Sequence, residues 1–184
     1  VISNFYYNKH SIYPAPVNEG IDVPLYFYET AVIPLDSGDL VQMDIWLGNP
    51  EDVIAEDIYG ITFTLEYETA FVDSNSVKID FADESWLTYN SPVLHLTKKP
   101  NPGVIDAGIT RTSGVSDTGY GLVAQLDFVV IEDIEGVRPQ DDYLDLKLTN
   151  IVAMNSAGES FDLPDATTRL KMRLGDESEP VQAS

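Results

Sequence analysis

The sequence predicts an all-β domain, a jelly-roll or Greek-key β-sandwich of about nine strands. Three observations carry this. Apolar residues alternate with polar ones, with a period of two, in segment after segment. Turn-forming clusters such as LDSGD, GNPED, DSNS and KKPNPG separate those segments. No stretch shows the 3.6-residue periodicity of an amphipathic helix. Short strands, frequent turns and no helix together describe two sheets packed face to face.

In chain order, a weak strand fits Tyr26 to Ile33. VQMDIWLG then places Val41, Met43, Ile45 and Leu47 on one face, against Gln42, Asp44 and Trp46 on the other. YGITFTLEY is the clearest case, with Tyr59, Ile61, Phe63, Leu65 and Tyr67 on the core face and Gly60, Thr62, Thr64 and Glu66 on the wet one. VKIDF contributes Val77, Ile79 and Phe81. Weaker strands fit Val93 to Thr97 and Val104 to Thr110. GYGLVAQLDFVV gives a long one, with Leu122, Ala124, Leu126, Phe128 and Val130 on the apolar face. YLDLKL supplies Leu144, Leu146 and Leu148, Ile151 to Met154 forms a further short strand, and TRLKMRL supplies Leu170, Met172 and Leu174.

The start of GYGLVAQLDFVV also fits the Gly-x-Gly-x-x-Ala pattern of dinucleotide sites. That motif works only with a strand before the glycines and a helix after them, because the helix N-terminus holds the pyrophosphate. Here a polar turn precedes and a strand follows, so the glycines are expected to turn a corner and hold no nucleotide.

Composition narrows the function. The 184 residues carry 31 acids against 10 bases, a net charge of -21, which repels phosphate backbones and argues against nucleic acid as a partner. With 43% hydrophobic residues the chain is no disordered acidic tail. Cysteine is absent, which removes disulfides, thiolate metal sites and cysteine nucleophiles. No apolar run is long enough to insert in a membrane as a helix. The opening VISNFYY has neither an initiator Met nor a leader-like segment and reads as a mature product or an excised module.

Three regions are expected. Residues 1–29 hold Tyr6, Tyr7, Tyr13, Tyr26, Phe27 and Tyr28 among prolines, too aromatic for a linker, and are expected to pack along the sandwich, add at least one strand and cover Trp46. Residues 30–174 form the sandwich. Residues 175–184, GDESEPVQAS, have the composition of an acidic linker.

Over about residues 36–163, the order SGDLVQMDIWLGNP, IYGITFTLEYETAFV, GYGLVAQLDFVVIED and DLKLTNIVAMNSAGESFDL resembles the cohesin domain and its carbohydrate-binding-module relatives. The matching places are Gly38 and Asp39, Tyr59 and Gly60, Gly119 and Gly121, and Phe128 with Val130. The resemblance implies a nine-stranded jelly roll with a binding or structural role. LDFVVIEDIEG and LTNIVAMNSAGE are also similar to modules of large type IX-secreted surface proteins of gliding bacteria.

Catalysis is not expected. His10 and His95 are far apart in sequence, no nucleophile motif is present, and 31 acids place some carboxylate pair at any chosen separation by chance. The chemical candidate is calcium. The loop GNPEDVIAEDIYG offers Asn49, Glu51, Asp52, Glu56 and Asp57 as oxygen donors, and DFADES offers Asp80, Asp83 and Glu84; neither has EF-hand spacing. Turn chemistry accounts for the same residues. No cofactor is required. Trp46, on the wet side of its strand, is a candidate ligand-binding residue for a sugar ring or a protein partner, whereas Trp86 is expected to cap the sandwich end.

The sequence therefore points to a non-catalytic structural or adhesive module of a secreted, multi-domain cell-surface protein. Its partners would be neighbouring modules of the same chain or a protein or glycan surface ligand. The alternatives are a cohesin that binds a dockerin-type partner and a carbohydrate-binding module.

Overall fold

The computed structural model describes residues 24–28, 34–49, 55–83, 85–131 and 143–172. Among them there are twelve strands and no helix: β1 (Leu25–Tyr28), β2 (Leu40–Leu47), β3 (Ala55–Ile58), β4 (Gly60–Tyr67), β5 (Lys78–Phe81), β6 (Val93–Asn101), β7 (Val104–Arg111), β8 (Asp117–Gly119), β9 (Gly121–Val129), β10 (Tyr143–Met154), β11 (Ser160–Asp162) and β12 (Ala166–Lys171). One sheet has the order β1-β2-β9-β5. The other runs β11-β10-β4-β7-β6, with β12 also paired to β10, and β3 with β8 makes a small third sheet. Every strand pairing among the described residues is antiparallel, and an isolated parallel bridge joins Leu35, ahead of β2, to Met172, just after β12.

The alternation read from the sequence becomes the core. Met43, Ile45 and Leu47 of β2, Ile79 and Phe81 of β5 and Leu126 and Phe128 of β9 face Ile61, Phe63 and Leu65 of β4, Ile105 and Ile109 of β7 and Leu144, Leu146 and Leu148 of β10; all are buried. Phe63 and Phe81 meet across the interior at a centroid distance of 6.4 Å. The pattern dictates this packing because a one-residue slip would turn each apolar set toward water.

Among the described strands the register shifts in four pairings, β4 with β10, β2 with β9, β3 with β8 and, between Lys98 and Asn101, β6 with β7; two of these alter the parity of core strands. In β9 the register with β2 shifts between Ile45 and Trp46, so Val123 is fully buried while Leu122, expected on the core face, becomes the half-buried partner of Trp46. In β10, Asn150 takes a φ of 49° and the register with β4 shifts between Thr149 and Val152. The extra residue changes the phase, so that Ile151 and Ala153 continue the buried row begun by Leu144, Leu146 and Leu148. Ile151 to Met154 is therefore the end of β10, not the separate strand that the broken alternation suggested. Asn tolerates the left-handed region better than most residues, which suits it to the bulge.

The count of about nine rises to twelve because β3, β8 and β11 are too short for alternation to register. The two glycines of GYG serve different ends. Gly121 has a φ of 120° and opens β9. At Gly119 a Cβ would lie 2.8 Å from the Trp86 ring, so its missing side chain is what lets the indole lie on the backbone. Trp86 packs against the core there. Residues 1–23 and 175–184 and Leu174 lie outside the described residues.

Candidate docking face

The sandwich presents two outer faces, and they differ chemically. On the four-stranded sheet, polar side chains answer each other across β2 and β9, where Gln42 donates to Asp127 at 3.1 Å and Gln125 donates to Asp44 at 3.1 Å; along β5, Lys78 donates to Asp80. The Asp80 carboxylate holds the Lys78 ammonium above its usual pKa, first through that hydrogen bond and then through charge. At one end of this face Trp46 is half-buried. β1 runs beside it with Tyr26 as register partner of Trp46, and the Tyr28 ring stacks on the indole at 4.6 Å and 17°. The Trp46 Nε1 is buried and has no hydrogen-bond partner among the described residues. With one ring face under Tyr28, Trp46 does not offer that face to a sugar.

The six-stranded sheet is different. Register places Leu94 beside Thr110, Leu96 beside Gly108, Gly108 beside Thr62, and Thr62 beside Val152, all on the outer side. Met154 follows in line with Gly60. Leu94 is 65% and Leu96 71% exposed. The centre of the row is low, since a Cβ on Gly108 would lie 2.9 Å from the Thr62 methyl. The result is a flat strip edged by two leucines on one side and by Val152 and Met154 on the other. Beside it runs a polar row in which Thr64 donates to Asp106 at 3.0 Å and Thr149 donates to Glu66 at 2.9 Å. At the far end Arg169 grips Asp145 through two bonds, of 2.7 and 3.1 Å, with its guanidinium 5.6 Å from the centroid of the Tyr143 ring. That hydrogen bonding holds the Asp145 carboxyl below its usual pKa, against a smaller opposing effect of burial. An apolar strip with a polar rim is the surface pattern of a protein-binding site.

Where β6 begins, Arg111 organises the end of the sandwich. Its buried guanidinium donates to the Leu87 carbonyl at 2.9 Å and to Asp117 at 2.7 Å, and Ser91 donates to Ser113 at 2.9 Å. Exposed Tyr89, Val115 and Tyr120 lie on the loops held together in this way.

The calcium candidates are only partly visible. Asn49 is buried, Glu56 and Asp57 lie on β3, and Asp57 takes a φ of 58° with its N–H donating to Thr118 Oγ1 at 3.2 Å. Glu51, Asp52 and Glu84 lie outside the described residues. Among the described residues no three acids or histidines gather as metal ligands. Asp80 engages Lys78, and the Asp83 carbonyl accepts from Thr88 at 2.7 Å. His95 lies against Phe81 at 5.5 Å, and His10 is outside the described residues.

Sequence reasoning did not single out Leu94, Leu96 or Arg111. In VLHLTKK both parities hold apolar residues, so the pattern alone does not say which face is wet. A signal was nevertheless present: no Asp or Glu occurs from Ser85 to Ile105 in a chain otherwise crowded with acids.

No protein-family model and no curated protein matches the chain. Solved structures do. A type II cohesin domain from the cellulosome of Acetivibrio cellulolyticus aligns with a TM-score of 0.60 at 10% identity, covering 82% of this chain and 94% of that one. A non-cellulosomal cohesin from the hyperthermophilic archaeon Archaeoglobus fulgidus aligns with a TM-score of 0.55 at 16% identity, covering 85% and 94%. The sixth cohesin of Acetivibrio cellulolyticus scaffoldin B, solved in complex with a Cel5 dockerin mutant, aligns with a TM-score of 0.57 at 11% identity, covering 82% and 99%. At such identities the likeness establishes the fold, a cohesin-like β-sandwich.

Proposed function

We propose that this chain is a non-catalytic structural or adhesive module of a secreted, multi-domain surface protein, and that it holds a protein partner on the outer face of the six-stranded sheet. The observation that carries the reading is the contrast between the two faces. One bears cross-strand polar pairs and Tyr28 on Trp46, with a single exposed leucine, Leu40, at the start of β2, while the other leaves Leu94 and Leu96 exposed side by side on one strand and in line with Val152. Exposed leucines on a flat sheet lose little order when a partner covers them, and the polar rim fixes register.

A second reading names the partner as a dockerin-type module. It is favoured by the complex in which a structurally similar cohesin was solved with its dockerin. A glycan ligand gains no such support, since Trp46 carries Tyr28 on its ring.

The test is calorimetric titration of the chain against the modules that flank it in its full reading frame and against a panel of dockerin modules. At least one should bind, and Leu94→Asp with Leu96→Asp should weaken that binding about thirtyfold or more, as loss of central apolar anchors does. Failure of every member to bind, or binding indifferent to the double substitution, overturns the reading.

A further inference from the structure

β6 is the last strand of its sheet, and among the described residues nothing pairs with its outer edge. Its backbone groups can be assigned. The Thr112 N–H donates to the Pro92 carbonyl at 2.9 Å, and the Arg111 N–H points the other way, to Tyr59 at 2.9 Å. Alternation along an antiparallel ladder then turns the N–H and C=O of Leu94 and Leu96 toward β7, and those of His95 and Thr97 outward. The strand is exposed on both sides: Leu94 and Leu96 on the outer face, His95 and Thr97 on the inner one, where the Phe81 ring of β5 meets the imidazole at 5.5 Å and still leaves His95 exposed.

Two of the chain's ten bases lie on this edge. On a chain of net charge -21, the span from Ser85 to Ile105 holds Lys98 and Lys99 and no acid. Asp106, the register partner of Lys98, is the acid facing it from β7, and Lys99 donates to the Ser74 carbonyl at 3.0 Å. Lysines and a proline on an edge strand are a recognised defence against self-pairing, and Lys98, Lys99 and Pro100 fill that role here. In an antiparallel pair of β6 edges centred near Leu96, each lysine would meet an apolar residue or a histidine of the other copy and lose water without gaining a counter-charge. A second copy is therefore a poor occupant. An acidic strand is a good one, because the same lysines attract it while the His95 and Thr97 backbone groups bond it.

We infer that the edge of β6 takes up an extended, acidic segment of a partner protein as an added antiparallel strand, with apolar side chains at alternate positions lying beside Leu94 and Leu96 and carboxylates at the positions between, on the face of Lys99, where the long Lys98 side chain also reaches them. The inference rests on the six-stranded sheet being the protein-binding one and adds how the partner is held and which chemistry it carries.

The probes are short synthetic peptides alternating valine with glutamate, their valine–lysine counterparts, and the glutamate peptide N-methylated at every second residue. Binding is read by fluorescence anisotropy, and hydrogen exchange is followed at the His95 and Thr97 amides. The glutamate peptide should bind, slow exchange at both amides, and weaken with added salt. The lysine peptide and the N-methylated peptide should bind at least about tenfold more weakly, and Lys98→Glu with Lys99→Glu should reverse the preference between the two charged peptides. Both lysines are exposed, so the double variant keeps its fold, which its melting curve verifies. Equal binding of acidic and basic peptides overturns the inference, as does tolerance of N-methylation, which would put the peptide on the face rather than the edge. If none of the peptides binds while a flanking or dockerin module still docks through Leu94 and Leu96, the edge inference fails and the face reading stands.

Discussion

Gly119 is the residue at which a missing side chain matters most. Because a Cβ there would come within 2.8 Å of the Trp86 ring, Gly119→Ala should displace the indole and cost about 1 to 3 kcal/mol, visible as a lower denaturation midpoint and a shifted tryptophan emission. An unchanged emission would mean that the ring is not seated there. Asp145 bears a pH-dependent contribution. Its folded-state pKa is depressed by Arg169, so its ionised form favours the folded chain; that stability is fully present above the unfolded carboxyl value and is lost as pH falls through the folded one. Arg169 is largely exposed, which screens the pair. Arg169→Ala should therefore cost only about 0.5 kcal/mol at neutral pH, and the difference from the parent should vanish in acid below the folded pKa. Urea titrations at both pH values measure it. Neither residue's role was readable beforehand, since Gly-Tyr-Gly reads first as a turn and Asp145 and Arg169 are brought together only by the pairing of β10 with β12.

At the scale of the element, β1 adds a strand to the edge of the four-stranded sheet and brings Tyr28 over Trp46. Tyr28→Ala should uncover that ring face, move tryptophan emission to the red and cost about 0.5 to 1.5 kcal/mol, the range of an aromatic pair. An emission spectrum identical to the parent's would contradict the stacking. β9 is the strand between β2 and β5 and carries Phe128 into the core. Phe128→Ala should cost about 3 to 5 kcal/mol in a denaturant melt. That strand was legible in the sequence from Ala124 to Phe128, where alternation is unbroken. It was misread at Leu122 because a bulge obeys backbone pairing with β2 and leaves no mark in local composition.

For the whole molecule, a net charge of -21 means that compaction brings like charges together. Raising the salt concentration from about 0.05 to 0.5 M should screen that repulsion and raise the melting temperature, whereas an uncharged osmolyte should show no such dependence on ionic strength. A melting temperature that falls with salt would place the weight on attractive pairs instead. The same charge bears on the β6 edge, since an acidic segment approaching this molecule is repelled over most of the sequence and attracted where bases such as Lys98 and Lys99 lie without neighbouring acids in the chain.

The sequence by itself determined the class of the fold, the partition into core and wet faces, and the roster of buried residues on β2, β4, β5 and β10, because a period of two admits one arrangement in which each apolar set escapes water. It also carried the resemblance whose fold the cohesin structures share. Only the tertiary structure decided which sheet face carries the polar pairs and which is left more apolar, that Tyr28 is the ring stacked on Trp46, that Arg111 ties two loops together, and that β6 is an edge. The physical reason is that parity is a local property, stored in a handful of neighbouring residues. Exposure of a strand's second face, or of its backbone groups, depends on which distant segment pairs beside it.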